Sequence, residues 1–180
     1  HDAGTSVGSA LYLYNHILSN DRLEEIKTAY FGKKSDNNEV IDCLEKYGVK
    51  YEKVDDDILF DRVSEKLVNG GVIGWFQGRS EFGPRALGHR SIIVDPRRKD
   101  AKDLLNEKIK RRESFRPFAP SILEEYVEEY FVQNDAVPFM EKVYDIKKEK
   151  HSEIPAVTHV DGTGRLQSVN KEVSPRYHRL

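Results

Sequence analysis

Apolar positions recur along the chain with two different periods, and together they predict helices interleaved with strands. Apolar residues that return every three or four positions predict helices over 6–18, 22–29, 39–46, 55–69, 101–110 and 124–131. Short apolar runs bounded by turn residues predict strands over 72–76, 91–94, 118–123, 139–144, 157–160 and 166–169. This alternation is typical of an α/β or α+β domain.

Small polar residues and glycines predict where several of these elements begin and end. Ser6 is expected to cap the first helix, because its side-chain oxygen can accept a bond from an unpaired backbone N–H. Gly48 is expected to end the helix over 39–46. A turn is predicted over 161–164 (DGTG), between the last two strands, because glycine adopts the positive φ that tight turns need. The single cysteine, Cys43, excludes an internal disulfide and is expected to be a small buried side chain.

The overall composition sets the size and class of the protein. The 180 residues, 38% of them hydrophobic, suffice for one domain, or for one domain and part of another. They include neither the roughly 20 consecutive apolar residues that a membrane helix needs nor an N-terminal secretory signal. One cysteine is compatible with the reducing cytoplasm, where we expect the protein to be. The start at His1 and the lack of an evident stop lead us to expect a longer natural protein.

Positive charge is concentrated in one stretch of the chain. Residues 79–116 hold twelve Lys or Arg against six Asp or Glu, whereas the whole chain carries a net charge of -2. This contrast predicts a site for an anion, since Arg can hold phosphate through two parallel hydrogen bonds. The pI of about 6.4 argues against a general nucleic-acid-binding surface, which usually has a pI above about 9.

Three segments carry the candidate chemistry, and the first is EFGPRALGHRS, residues 81–91. Gly83 and Pro84 predict a turn, from which Arg79, Arg85 and Arg90 could converge on an anion. The alternative is that these are three solvated surface arginines without a ligand, and the residues alone leave both possibilities open.

The second segment is NEKIKRRESFRPFAPS, residues 106–121. Lys110 could act as a point charge on a phosphate and Arg116 as a fork that holds two of its oxygens. The cations between them and just before them are expected to form a solvated helix face; they are Lys108, Arg111 and Arg112.

The third segment is IPAVTHVDGTGRLQSV, residues 154–169. Arg165 follows the glycine turn at the start of a strand, and His159 and Asp161 precede that turn. Two ligands are too few for a metal site, so a satisfied structural histidine is favoured over a metal ligand.

In this order, the three segments resemble the C-terminal domain of O-carbamoyltransferases of the NodU/CmcH type, which include the nodulation-factor, cephalosporin and tobramycin carbamoyltransferases. The likeness runs from about Val72 to the end of the chain. The first residues, HDAGTSVGSALY, resemble the end of the N-terminal actin-like ATPase-fold domain of that family. The resemblance therefore implies two parts. Residues 1–50 would be the end of the actin-like domain plus a linker, and 51–180 a YrdC-like domain, a twisted mixed sheet with helices, truncated at its C-terminus.

The resemblance also implies an activity. The family's YrdC-like domain binds carbamoyl phosphate and ATP, with Mg²⁺, and forms carbamoyl-adenylate. The carbamoyl group then passes to a hydroxyl of a sugar or natural-product acceptor in the N-terminal domain. A segment that follows this chain's end normally completes the site, so full activity is not expected of these 180 residues alone.

Site residues follow from the same resemblance. Lys110, Arg116 and Arg165 match the catalytic, carbamoyl-phosphate-binding residues. Arg85 and Arg90 match the Gly-Pro-Arg-Ala-Leu-Gly motif and, with Arg79, Ser121 and His159, are assigned to substrate or nucleotide binding. Asp2 matches a ligand of the family's iron, whose partner histidines lie outside this chain, and at this position a simple helix-start role is favoured.

Two other classes of function remain open at this point. A YrdC-like module could bind nucleotides or RNA on a basic surface without catalysis, or the domain could serve only to position a partner domain. The acceptor and the oligomeric state are not indicated by the sequence.

Overall fold

The computed structural model describes residues 3–180, so Asp2 lies outside the described residues. Helices and strands are mixed along the chain, as the apolar pattern predicts. The α-helices are α1 (Gly4–Tyr12), α2 (Asn37–Lys46), α3 (Asp56–Val68), α4 (Ala101–Leu104), α5 (Val127–Tyr130) and α6 (Pro175–Arg179). Helices α1 and α4 continue as π-helical turns over Leu13–Ile17 and Leu105–Lys110. Two 3₁₀ turns cover Glu124–Tyr126 and Lys148–Lys150.

Six short strands form three separate two-stranded ladders within residues 3–180. The strands are β1 (Val72–Phe76), β2 (Arg90–Val94), β3 (Ser121–Leu123), β4 (Val143–Asp145), β5 (Thr163–Arg165) and β6 (Gln167–Val169). Strand β1 pairs antiparallel with β2, β4 pairs antiparallel with β5, and β3 pairs parallel with β6. The mixed pairing is consistent with an α/β class.

Two apolar clusters hold these ladders and helices together. The larger cluster surrounds β4 and α5, and its buried members are Val127, Phe131, Val137, Tyr144, Ile146, Ile154, Val157 and Leu166. The smaller joins α3 to β1 through Phe60, Val63 and Trp75, with Tyr177 and Leu180 of the C-terminal segment packed against it. Strand β1 is less buried than predicted, because Trp75 is covered while Phe76 is 57% exposed.

The C-terminal helix α6 is attached to α3 by charge as well as by packing. Arg176 forms an ion pair with Asp56, and Arg179 forms one with Asp57. Both guanidinium groups also lie over the ring of Phe60, 5.6 and 4.6 Å from its centroid. Exposed ion pairs contribute little individually, so the shared aromatic ring and the apolar cluster carry most of this attachment.

Several sequence-based expectations are wrong. Residues 22–29 form no helix, and Ala29 is buried there, where its carbonyl accepts the N–H of Phe82 at 2.7 Å. Residues 157–160 form no strand, so the predicted turn over 161–164 does not connect two strands, and β5 begins within it at Thr163. Helix α1 begins at Gly4, so Ser6 is not its cap. Cys43 is exposed. Across residues 3–180, none of the helices combines the length and apolar character needed to cross a membrane.

Candidate functional site

A single carboxylate closes the loop between β1 and β2. One oxygen of Glu81, Oε1, accepts the backbone N–H groups of Leu87, His89 and Arg90 at 2.7, 3.0 and 3.1 Å. Burial, the largest influence, raises the pKa of Glu81, but these donors together outweigh it and lower the pKa. The carboxylate is thus held ionised inside the Gly-Pro-Arg-Ala-Leu-Gly loop, a role that sequence reasoning missed.

His89 links this loop to the C-terminal segment. Its Nδ1 lies 2.7 Å from the carbonyl of Arg79, and its Nε2 lies 3.2 Å from Oγ of Ser174. A carbonyl only accepts, so Nδ1 carries the proton, and the neutral ring accepts at Nε2 from the Ser174 hydroxyl. That hydroxyl accepts in turn from Gln77 Nε2 at 3.3 Å. Burial, the largest cause, lowers the pKa of His89, which agrees with a neutral imidazole.

Further contacts fix the loop from both sides. The ring of Tyr30 stacks on His89 with centroids 3.5 Å apart, and its hydroxyl donates to the carbonyl of Leu87 at 2.8 Å. Gln167 Nε2 donates to the same carbonyl at 2.9 Å, while its Oε1 accepts from the hydroxyl of Ser121 at 3.1 Å. Ser121, a predicted binding residue, therefore supports the loop from β3.

Arg85 and Arg90 of the first segment, and Arg79 just before it, lie on or beside this loop. Arg79 is exposed and donates to the carbonyl of Gly32 at 3.1 Å. Arg90 donates to the carbonyls of Gln77, His89 and Gly78. Its guanidinium also lies 3.5 Å from the ring centroid of Phe76. Arg85 is half-buried in the same loop. Arg90 thus holds the backbone of the loop through these hydrogen bonds, whereas the side chain of Arg79 stays largely exposed to solvent.

A buried amide organises the second segment. Asn106 is completely buried, and its Nδ2 donates to the carbonyls of Ser114 and Arg116 at 3.2 and 2.9 Å. Its Oδ1 accepts from Nε of Arg112 at 2.7 Å. Arg112 is half-buried, so the expectation of a solvated residue is wrong for it, although it holds for the exposed Lys108 and Arg111.

The two catalytic candidates of this segment differ in their surroundings. Lys110 is exposed at the end of the π-helical turn, and among residues 3–180 it has no hydrogen-bond or ion-pair partner. Nε of Arg116 lies 3.0 Å from Glu113 in an ion pair that is half-exposed on both sides. A phosphate could therefore reach Lys110 directly but would have to share Arg116 with Glu113.

The third segment forms a hydrogen-bonded turn before β5. The hydroxyl of Thr163 donates to Asp161 at 2.7 Å, so it accepts from Nδ1 of His159 at 3.0 Å. Burial is the largest cause that lowers the pKa of His159. Asp161 opposes this effect, and the charge of Arg165 adds to it. His159 is thus a neutral, locally bonded histidine, and Arg165 is the last residue of β5.

A cavity of 480 Å³ lies between the two apolar clusters. Its wall is largely apolar and includes Leu105, Phe118, Val157 and Tyr177. Ser121 is part of this wall, whereas Lys110, Arg116 and Arg165 are not. Lys110 ends the π-helical turn and Arg116 follows it in the same segment. Ser121 lies in β3 and is linked through Gln167 to the β1–β2 loop, while Arg165 belongs to the β4–β5 ladder.

Metal-binding side chains are not grouped in the part of the chain that the structure describes. No cluster of three or more His, Cys, Asp or Glu there could hold a metal ion. The predicted iron ligand Asp2 lies outside the described residues.

Comparison with known proteins identifies the family. The family model described as "Carbamoyltransferase C-terminus" matches residues 64–180. The nodulation protein NolO of Bradyrhizobium diazoefficiens is 41% identical over 98% of this chain and 33% of its own length. NolNO of Sinorhizobium fredii is 42% identical over 98% of this chain and 27% of its own length. A 3'-hydroxymethylcephem-O-carbamoyltransferase of Amycolatopsis lactamdurans is 42% identical over 67% of this chain and 22% of its own length.

The chain belongs to the carbamoyltransferase C-terminus family, as the match over residues 64–180 shows. It spans a third or less of the length of these three relatives. The resemblance noted in the sequence is thereby confirmed.

Proposed function

We propose that these residues are the carbamoyl-activating part of an O-carbamoyltransferase, which binds carbamoyl phosphate and ATP and forms carbamoyl-adenylate. The observation that carries this proposal is the family match over residues 64–180, which contains all three cationic candidates: Lys110, Arg116 and Arg165. We infer a YrdC-like fold for this part and an actin-like origin for the first 50 residues. A cytoplasmic location forms part of the same proposal.

The charge of the second segment supports the binding of a phosphorylated donor. Carbamoyl phosphate and ATP are both anions, so fixed cations are needed to offset their repulsion when they meet. Exposed Lys110 supplies an ammonium without a competing partner among residues 3–180. Arg116 engages Glu113 through Nε, which leaves its terminal nitrogens for a phosphate.

The proposed chemistry needs no nucleophilic side chain. Water first cleaves carbamoyl phosphate to carbamate and inorganic phosphate. A carbamate oxygen then attacks the α-phosphorus of ATP, and pyrophosphate leaves as the mixed anhydride forms. The role of Lys110, Arg116 and Arg165 is to hold the phosphoryl oxygens and stabilise the charge that develops on them. Mg²⁺ would arrive bound to ATP.

For the acceptor, we propose only a chemical class. A hydroxyl of a sugar or natural product would receive the carbamoyl group outside these residues, in the preceding domain. The described residues offer no cluster fit for the family's iron.

Calorimetric titration of the chain with carbamoyl phosphate tests the proposal. Saturable binding that becomes tighter with Mg²⁺ and a non-hydrolysable ATP analogue is the expected result. Absence of binding both in this chain and in the longer protein would contradict it. Binding of RNA that is steeply salt-dependent and indifferent to ATP would instead favour a nucleic-acid module.

A further inference from the structure

The side chain of Arg112 is fixed at Nε, whereas its two terminal nitrogens are unused within residues 3–180. Its Nε donates to Oδ1 of Asn106 at 2.7 Å, and its backbone N–H donates to the carbonyl of the same residue at 2.9 Å. Its guanidinium carbon lies 4.7 Å from the ring centroid of Phe118. Within residues 3–180, its two terminal nitrogens have no hydrogen-bond or ion-pair partner. The side chain is therefore held in place while four of its five N–H donors stay available.

Three other arginines of the cationic stretch are not in this situation. The guanidinium group of Arg97 forms an ion pair with Asp95, and that of Arg98 forms one with Asp100. The side chain of Arg111 is exposed and makes no hydrogen bond or ion pair within residues 3–180. Arg112 thus combines a fixed position with an unused fork.

Asn106 is the residue that creates this arrangement. An asparagine amide provides two N–H donors and one acceptor on a short side chain. All three functions are used, because Nδ2 bonds to the carbonyls of Ser114 and Arg116 while Oδ1 receives Arg112. An aspartate would lack the donors, and an alanine would leave the two carbonyls unpaired. The complete burial of Asn106 makes these bonds strong and their geometry fixed.

We propose that Arg112, which lies between Lys110 and Arg116 in the sequence, is a further phosphate-binding residue of this site and is positioned by Asn106. This inference rests on the proposed function, since it assigns the ligand's phosphate to the same loop. A guanidinium already fixed by a buried amide and an aromatic ring loses little conformational entropy on binding. Its terminal nitrogens present a planar fork, which matches two phosphate oxygens.

Substitutions of the arginine test the assignment by titration with carbamoyl phosphate. Arg112→Met is expected to weaken binding by about tenfold or more, the loss typical of one charge-assisted hydrogen bond. Arg112→Lys keeps the charge but loses the fork and the bond to Asn106, so most of that loss should remain. Arg111→Met makes the same change of charge at the neighbouring exposed position, and its affinity should stay within about twofold of the unmodified chain.

A double-mutant cycle tests the positioning role of Asn106. If Asn106 acts through Arg112, the effects of Asn106→Ala and Arg112→Met on the binding constant will be strongly non-additive. A purely structural effect of Asn106 would instead add to that of Arg112. Urea unfolding of each variant establishes the folded fraction, so that affinities refer to folded protein.

The outcomes separate this inference from the proposed function. Binding by the unmodified chain together with equal affinity in Arg112→Met would overturn the role of Arg112 alone. Equal losses in Arg112→Met and Arg111→Met would also overturn it, because they would reflect net charge only. Failure of both the unmodified chain and the longer protein to bind carbamoyl phosphate would contradict the proposed function and this inference with it.

Discussion

Tyr177 packs so closely over Gly88 that a single methyl group on the glycine would lie 2.2 Å from Cδ1 of the tyrosine. The hydroxyl of Tyr177 donates to Ser121 at 2.8 Å, so the ring bridges the β1–β2 loop and β3. Gly88 has a φ of 96°, which L side chains rarely adopt. This contact therefore requires glycine for both space and backbone conformation.

Gly88→Ala is expected to destabilise the protein by about 2–4 kcal/mol, because strained backbone and overpacking add together. Urea unfolding measures the effect. Gly74→Ala is the matched control, since its Cβ would meet no atom within 4 Å and Gly74 lies in the strand β1. That variant should be neutral or slightly more stable, and a similar loss in both would contradict the packing argument.

Glu81→Gln is expected to destabilise the protein by about 1–2 kcal/mol at pH 7, because three backbone donors lose an ionised acceptor. The pKa of Glu81 is lowered from 4.5 in the folded state. The contribution of ionised Glu81 to the free energy of unfolding is thus fully present above pH 4.5 and is lost as pH falls through the folded pKa. Urea unfolding at pH 7 and at pH values below 4.5 should show the gap between variant and parent closing in acid. Glu65→Gln, at an exposed position of α3, should show little difference at either pH.

Acidification below about pH 6.5 is expected to destabilise the β1–β2 loop through His89. Its pKa is lowered from 6.5 on folding, so the unfolded chain binds a proton first and stability falls as pH decreases from that value. In His89→Asn the amide N–H can replace Nδ1–H toward Arg79 without titrating. The slope of unfolding free energy against pH below 6.5 should therefore be smaller in that variant. An unchanged slope would show that other groups, such as His159, account for it.

The apolar pattern predicted elements whose cause is local and missed those set by distant contacts. Helix α3 and strands β1 and β2 follow from periodicity and turn residues that lie next to one another in the chain. Residues 22–29 have helical spacing, yet Ala29 is buried by contact with the distant Phe82 loop. Secondary-structure propensity is a weak prior that such tertiary contacts override.

For a related reason, the sequence predicted only some of the site residues. Clustered cations indicated an anion site, but charge alone could not distinguish Arg112 from its solvated neighbours, because the distinction depends on a buried amide six residues earlier. Glu81 gave no signal, since its partners are backbone N–H groups that every sequence contains. The roles of Lys110, Arg116 and Arg165 stay predictions that binding measurements must test.

Lys110→Ala and Arg116→Ala are each expected to weaken carbamoyl-phosphate binding by about 1.5–3 kcal/mol while leaving the fold intact. Glu113→Gln should instead strengthen carbamoyl-phosphate binding, because it removes the carboxylate that lies 3.0 Å from Arg116 and competes with a phosphate. Calorimetric titration of the three variants checks both directions. Unchanged affinity in both alanine variants would remove these residues from the site.

The hydrogen bonds around His89 end at the only tryptophan of the chain. Nε1 of Trp75 donates to Oε1 of Gln77 at 3.0 Å, and the amide of Gln77 continues to Ser174 and thence to the imidazole. The indole is buried, so its fluorescence depends on this polar partner and the packed rings around it. The protein therefore carries a built-in optical reporter, whose emission should follow protonation of His89 and any rearrangement of the loop without an added label.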